Sequence, residues 1–505
     1  METLTTEAEL PRKLQIKDEK RVAESLSKKV VRGGIWMFSL RIASRVLLLV
    51  STVILARLLA PGDFGLMGIA LLAMGTIETF SQTGFETALV QKKGEIREYL
   101  DTVWVSLIIR GTMISAILYF SSPLVGIFFN APKAIDLIKV IAFIPLINGI
   151  ANIGVLYFQK ELEFRKKFVY ITGGAFTRTI ATVYLAFLLR NVWALVYGTL
   201  AGCLAQFALS YLIHSYRPKF KFDWEKVKEL FDFGKWIFIL GIIVFLVTNV
   251  DNALVGKLLG MASLGFYTMA YKFSNFSCTE IAHVISQVSF PAYSKLQDNL
   301  PKLKEAYLKV LQIVALISIP LAGGIFVFAP EFTKIFLGDK WIPMVSAMRV
   351  LCIFGAVRSI QNTFGALFNG IGKPEIGVKI GIIQLVILSI VIFPFTVNLG
   401  IVGTAWAVSS SIVFSCILGV WEIHRLLKFS YITFVKILSF PIILVLILYL
   451  IIWAVRQRPF YESSPNWFFI LLAASVSVYS LAVYLLNKIA KYGLGELISL
   501  IFKSI

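Results

Sequence analysis

Charge is scarce in this chain: only 15% of its 505 residues are Asp, Glu, Lys or Arg, where a soluble domain carries about a quarter. That scarcity excludes an ordinary soluble fold. Cysteine is also rare. The four present (Cys203, Cys278, Cys352 and Cys416) sit inside apolar runs with no CxxC spacing, which excludes a disulfide framework and structural zinc. There is no GxxxxGK[ST], no HExxH and no GxSxG, so an ATPase, a zinc hydrolase and a serine hydrolase all lack their core motif. Gly370-Ile371-Gly372-Lys373 lacks the strand and helix context of a nucleotide loop. No catalytic residue, cofactor or metal is expected. Residues 1–32 are charged and polar, without the apolar core and small-residue site of a cleavable leader.

Apolar residues are abundant instead, at 58% of the chain. Runs of about 18 or more apolar residues mark membrane-spanning helices. The first half divides into spans 32–57, 64–90, 102–121, 134–157, 168–189 and 193–214. The second half gives 233–257, 264–290, 306–328, 345–369, 377–397 and 400–424, followed by 437–455 and 466–487. The expectation is an all-α polytopic membrane protein of about fourteen helices. Its units are an N-terminal tail (1–31), a first lobe (32–214), a linker (215–232), a second lobe (233–424), two further helices (437–487) and a C-terminal tail (488–505).

The formal charge of +20 does not point to nucleic acid, because the basic residues alternate between rich and poor loops. Clusters such as Lys92, Lys93 and Arg97, or Arg217, Lys219, Lys221, Lys226 and Lys228, fall on one side. The other side carries only Arg57, Lys133, Arg190, Lys257, Lys334, Lys340, Arg456 and Arg458. A bias of roughly four to one assigns both termini to the cytoplasm of a cytoplasmic (inner) membrane.

The two lobes repeat one another. Gly34-Ile35-Trp36, Arg57-Leu58-Leu59, Gly65 and Ala70 return without a gap as Gly234-Lys235-Trp236, Lys257-Leu258-Leu259, Gly265 and Ala270. Pro123 with Ile127-Phe128 returns as Pro330 with Ile335-Phe336. Six spans bring the chain back to its starting side, so the lobes share one orientation about an axis along the membrane normal.

Charges inside spans cost at least about 2.5–3.5 kcal/mol each and face a cavity or a partner. The cations are Arg41 and Arg45, one turn apart, then Arg110, Arg178, Lys272 and Arg358. Arg358, Gln361, Asn362 and Gly365 form one polar helical stripe. The acids are fewer: Glu78, with Gln82 and Glu86 on its stripe, Asp251 and Glu280. Cations therefore outnumber anions. A shared cavity selects an anionic, phosphate-bearing cargo, for which guanidinium offers bidentate bonds. Glu78, Asp251 and Glu280 are candidates for ion coupling. The plainer alternatives stand beside these readings: Arg41 and Arg45 snorkel to headgroups, an acid such as Glu78 neutralises a single arginine, and His283 packs rather than relays protons.

Several strings carry a family resemblance. Leu55-Ala56-Arg57-Leu58-Leu59-Ala60-Pro61-Gly62-Asp63-Phe64-Gly65 resembles the first outer loop of Wzx-type polysaccharide flippases, within the multidrug/oligosaccharidyl-lipid/polysaccharide exporter superfamily. Phe290 to Gln297, Leu337-Gly338-Asp339-Lys340-Trp341 and Asn369 to Pro374 are similar to later loops of the same family. The branch it most resembles includes the colanic-acid and teichuronic-acid exporters. The resemblance implies two six-helix lobes around a central cavity. It also implies alternating-access transport of an undecaprenyl-diphosphate-linked oligosaccharide for polysaccharide, O-antigen or lipopolysaccharide biosynthesis. Cavity cations would be drawn from Arg41, Arg45, Arg110, Arg178 and Arg358. Membrane lipid, a polysaccharide polymerase and assembly proteins are the implied partners. Three other readings stay open: a cation-coupled drug exporter, a membrane-embedded polymerase or glycosyltransferase, and a non-transporting scaffold.

Overall fold

The computed structural model describes residues 47–91, 96–161, 163–275, 289–458 and 464–490, and every regular element among them is helical. The first half holds α1 (Leu47–Leu58), α2 (Pro61–Phe80), α3 (Phe85–Gln91), α4 (Arg97–Phe128), α5 (Lys133–Ile141), α6 (Phe143–Ile150), α7 (Leu156–Lys160), α8 (Phe164–Leu189) and α9 (Trp193–Ile213). The second half holds α10 (Trp224–Ser274), α11 (Leu300–Phe332), α12 (Val345–Gly370) and α13 (Pro374–Leu427). It is followed by α14 (Tyr431–Arg456) and α15 (Pro465–Ala490). Ten helices among the described residues are long and apolar enough to cross a membrane. The chain is a multi-pass membrane protein.

Local chemistry sets many of the boundaries. Pro61 opens α2, where its missing N–H costs nothing, and the Asp63 carboxylate accepts the Ala60 N–H at 2.9 Å. Asp223, Asn299 and Ser430 cap α10, α11 and α14 through their side-chain oxygens.

Two helices are far longer than one crossing. The 54 residues of α13 would reach about 81 Å, against a hydrocarbon core of about 30 Å. It turns back on itself at Gly400 (φ 59°), as α10 does at Gly260 (φ 81°); only glycine adopts these angles without penalty. Bonds across each bend show the reversal. Tyr267 donates to Asp251 at 2.8 Å, and the hydroxyls of Thr396 and Thr404 lie 2.9 Å apart. The expected spans 377–397 and 400–424 are thus the two limbs of α13.

Two expected spans are broken. The stretch 134–157 is not one helix but α5, α6, a short turn at Ile153–Val155, and α7. Pro145 has no N–H to offer the Ile141 carbonyl, which ends α5. The chain then extends at Ala151 and Asn152. The freed groups are satisfied tertiarily: the Asn152 N–H donates to Ser210 Oγ at 2.9 Å and the Ile150 carbonyl accepts from the Tyr211 hydroxyl at 2.9 Å, while the Asn152 side-chain amide donates to the Tyr216 carbonyl at 2.6 Å. The stretch 64–90 breaks at Ser81–Gly84, between α2 and α3.

The largest hydrophobic core lies where the halves meet, with Leu59, Ile69, Tyr267, Ala270 and Trp341 all buried within it. A second core lies wholly in the second half, around Tyr307, Phe364 and Phe429. Helix α15 touches α11 and α14 and is otherwise exposed along most of its length.

Candidate functional site

The site is built around the seam between the halves. There α2 crosses the second limb of α10 at two glycines. A Cβ on Gly65 would collide with the Met261 carbonyl, and one on Gly265 would collide with the Pro61 carbonyl. The two contacts are the same contact read from either half, because 61 and 65 become 261 and 265. Such reciprocity marks an isologous, two-fold arrangement.

The seam is clasped at the end where α1 turns into α2. The Arg57 guanidinium donates from Nε to the Phe336 carbonyl at 2.9 Å and from Nη2 to the Ile335 carbonyl. Lys257 donates to the Phe128 carbonyl at 2.6 Å, with its ammonium 4.8 Å from the Phe128 ring centre. Lys340 adds bonds to the Arg57 and Leu59 carbonyls at 2.9 and 2.7 Å. Trp341, fully buried, donates to the Ala56 carbonyl at 2.9 Å and packs its ring against Phe64 and Phe266. In the sequence Arg57, Lys257 and Lys340 mark topology, the repeat and the family strings, and no binding role is expected of them. The usable signal was that Arg57 and Lys257 hold equivalent places in the repeat.

Charged residues of the first half gather on one face. Arg110, from α4, donates to the Ser81 carbonyl at 2.8 Å and to the Glu78 carbonyl at 2.9 Å. It thereby gives the Ser81 carbonyl a partner where α2 breaks inside the apolar region, and adds to the bonds that Ser81 makes to the Glu78 carbonyl. Glu78 and Glu86 both feel its charge, and Arg178 and Glu78 both act on Cys203 of α9. A cavity of about 190 Å³ adjoins them, lined by Glu86, Asn148, Lys167 and Tyr170 among others. Arg178 is exposed, opposite the apolar face of α8 that carries Val169, Phe176, Ile180 and Phe187.

In the second half, Arg358 of α12 donates to the Tyr271 hydroxyl at 2.7 Å and lies over the Phe354 ring. Asp251 is 1% exposed and accepts from Tyr267. Lys272 reaches across the seam to Thr52 Oγ1 at 2.6 Å. The expected stripe on α12 divides: Gln361 bonds Ser415 at 3.0 Å and Gln384 at 3.4 Å, inside the second half. Asn362 is half-buried, and Gly365 faces open space. Arg41, Arg45 and Glu280 lie outside the described residues. Of the expected groups, the cations Arg110, Arg178, Lys272 and Arg358 and the acids Glu78, Glu86 and Asp251 lie among the described residues. No group of three metal-ligating side chains occurs among them.

The other face of α12 walls an apolar groove. With α11, α13 and α14 it encloses about 980 Å³, lined by Phe326, Ile353, Val357, Trp421, Phe434 and Tyr449 among others. Ile417, Trp421, Val435 and Leu446 on its rim are half or more exposed, so the groove opens sideways.

At the opposite end of the seam, α9 passes into α10. The His214 ring accepts the Tyr216 N–H at Nδ1 and stacks on Tyr157. Burial, then the Lys166 ammonium, hold its pKa below the usual value. Tyr216 bonds the Asp101 carboxylate, and burial with that bond pushes its hydroxyl pKa up.

Residues 54–346 match the family model for polysaccharide biosynthesis proteins. The chain is 27% identical over 368 residues to the lipopolysaccharide biosynthesis protein WzxC of Escherichia coli K12, covering 71% of this chain and 74% of WzxC. It is 23% identical over 349 residues to the succinoglycan biosynthesis transport protein ExoT of Rhizobium meliloti, covering 69% and 70%. Among solved structures, the inward closed lipid II flippase MurJ shares the fold, with a TM-score of 0.73 over 90% of this chain and 99% of that one, at 15% identity.

Proposed function

The chain belongs to the polysaccharide biosynthesis protein family, and from that premise we propose that it is a flippase for an anionic, undecaprenyl-diphosphate-linked oligosaccharide. It moves a cargo rather than making one, as the names of ExoT and MurJ say of those proteins. It works from the cytoplasmic membrane with both termini in the cytoplasm. The clasped end then faces outward.

The observation that carries this reading is the double character of α12. Arg358 stands on one face, and Ile353 and Val357 wall the lateral apolar groove on another. A cargo with a charged head and a long hydrocarbon tail needs both surfaces within one helix diameter. Arg178, Lys272 and Arg358, with Arg41 and Arg45, hold the diphosphate. Gln361 and Asn362 serve the sugars, and the groove takes the polyprenyl chain. Arg110 acts by holding the broken end of α2 beside Glu78.

The lobes rock about the Gly65–Gly265 crossing, and cargo enters while the outer clasp is shut. Glu78, Asp251 and Glu280 couple the cycle to an ion. Asp251 exchanges its ion only when the Tyr267 bond opens. A polymerase and assembly proteins receive the product.

The test is translocation of a fluorescent diphosphate-linked oligosaccharide in proteoliposomes. Arg178→Ala and Arg358→Ala should each slow transport by roughly ten- to a hundredfold, the worth of one charged hydrogen bond. Unchanged lipid translocation, with export of a cationic dye instead, would replace this reading with a drug exporter.

A further inference from the structure

The segment that joins the lobes is tied down on one side and left bare on the other. Tyr216 bonds Asp101, its carbonyl accepts from Asn152, and the Lys219 N–H donates to Asp101 at 2.8 Å. Beyond it, Lys226 pairs with Glu98 and lies over the Tyr99 ring, while Tyr99 bonds Glu229. Leu230 is buried among Ile96, Leu100 and Trp104. Yet Phe220, Phe222 and Trp224 are 83%, 48% and 69% exposed.

These aromatics alternate with Lys219 and Lys221, and from Arg217 to Phe222 there are three cations and no acid. The Lys221 N–H donates to the Lys219 carbonyl at 2.8 Å, closing a tight turn centred on Phe220, so that ring stands at the apex between the two lysines. Nearby acids are engaged: Asp101 by Tyr216, Asp223 as the cap of α10, Glu98 by Lys226 and Glu229 by Tyr99. Glu225 is exposed on the first turn of α10. Lys219 and Lys221 enter no ion pair among the described residues.

Depth is set by Trp104, against which Phe220 rests edge-on at 5.0 Å. The 32 residues of α4 span about 48 Å, so about 9 Å projects from each side of a hydrocarbon core of about 30 Å. Trp104 is about 10 Å along the axis from Arg97. Phe220 therefore stands at the boundary between headgroups and acyl chains, where aromatic rings concentrate.

We propose that Arg217–Trp224 is a binding site for anionic phospholipid headgroups. Phe220, Phe222 and Trp224 enter the acyl boundary, and Lys219 and Lys221 hold the phosphates. The joint between the lobes is thereby anchored to the leaflet. This site does not depend on what the transporter carries.

The test places the full chain in phosphatidylcholine nanodiscs doped with brominated phosphatidylglycerol or brominated phosphatidylcholine. The difference in fluorescence between the unaltered protein and Trp224→Phe isolates Trp224 from the other tryptophans. The expected result is stronger quenching by the anionic lipid. The half-quenching mole fraction should rise by roughly fivefold for each lysine removed in Lys219→Gln and Lys221→Gln. Lys219→Arg with Lys221→Arg keeps the preference. Equal quenching by both lipids overturns the headgroup site, as does loss of preference in the arginine pair. Absence of quenching puts the segment in water, which overturns the proposal in favour of a protein partner.

Discussion

Arg57 and Lys257, which occupy equivalent places in the two repeats, each donate to a carbonyl at the end of a helix in the opposite half: Arg57 to Phe336, Lys257 to Phe128. The acceptors are themselves equivalent, since Ile127-Phe128 and Ile335-Phe336 are the matching pair. A two-fold axis therefore passes through the clasp. These symmetric bonds, with those of Lys340 and Trp341 to the Arg57, Leu59 and Ala56 carbonyls, must break together when this end opens.

The Arg57 and Lys257 bonds are of the charged kind, each worth about 1.5–3 kcal/mol. Removing about 2 kcal/mol moves a closed–open equilibrium by roughly thirtyfold. Arg57→Gln and Lys257→Gln should each raise the open population, and the double variant more. The measurement is the distance between spin labels at Gly62→Cys and Lys334→Cys in a cysteine-free background. A new long-distance population is expected to grow in the order single, then double. Gly62 has open space around it, and Lys334 is exposed, so both tolerate a label.

Arg110 and Arg178 should separate cleanly. Arg110→Gln leaves the Ser81 carbonyl at the end of α2 without its partner, at a cost of about 1–3 kcal/mol. The melting temperature of the purified protein should fall along with transport. Arg178→Ala removes an exposed group and should slow transport with the melting temperature unchanged. Equal melting losses would assign Arg178 a structural role.

Filling the groove should discriminate by tail length. Val357→Trp puts a large ring against the wall formed by Ile353, Trp421 and Phe434. Translocation of a long polyprenyl-linked substrate is expected to drop by tenfold or more, taking about 1.4 kcal/mol as the unit. A short-chain analogue of the same headgroup is expected to move at the original rate.

His214 makes the linker attachment sensitive to acid. Its pKa is depressed below the reference of 6.5 by burial and by Lys166, and Nδ1 must stay unprotonated to accept from Tyr216. The unfolded chain binds the proton first as pH falls. Stability is therefore whole above about pH 6.5 and declines below it. Thermal melts from pH 8 to pH 5 should show that decline, and His214→Gln should flatten it.

The helical bundle and its internal repeat are legible in the sequence because both are one-dimensional. Span length follows from the apolar thickness to be crossed, and the repeat is a fixed offset between like residues. The breaks in 64–90 and 134–157 were not legible. A broken helix inside a membrane survives only if something distant satisfies its backbone. Here that something is Arg110 for α2, and Ser210 with Tyr211 for the stretch at Ile150 to Asn152.

By itself the sequence determined that the chain is a bundle of apolar helices in two repeated halves with cations within those helices, since hydropathy and periodicity depend on residue type alone. Only the tertiary structure decided what each cation holds. Arg57 and Arg110 end on main-chain carbonyls 279 and 29 positions away. A carbonyl is the same in every residue, so no pattern of side chains announces which one will be left without a partner.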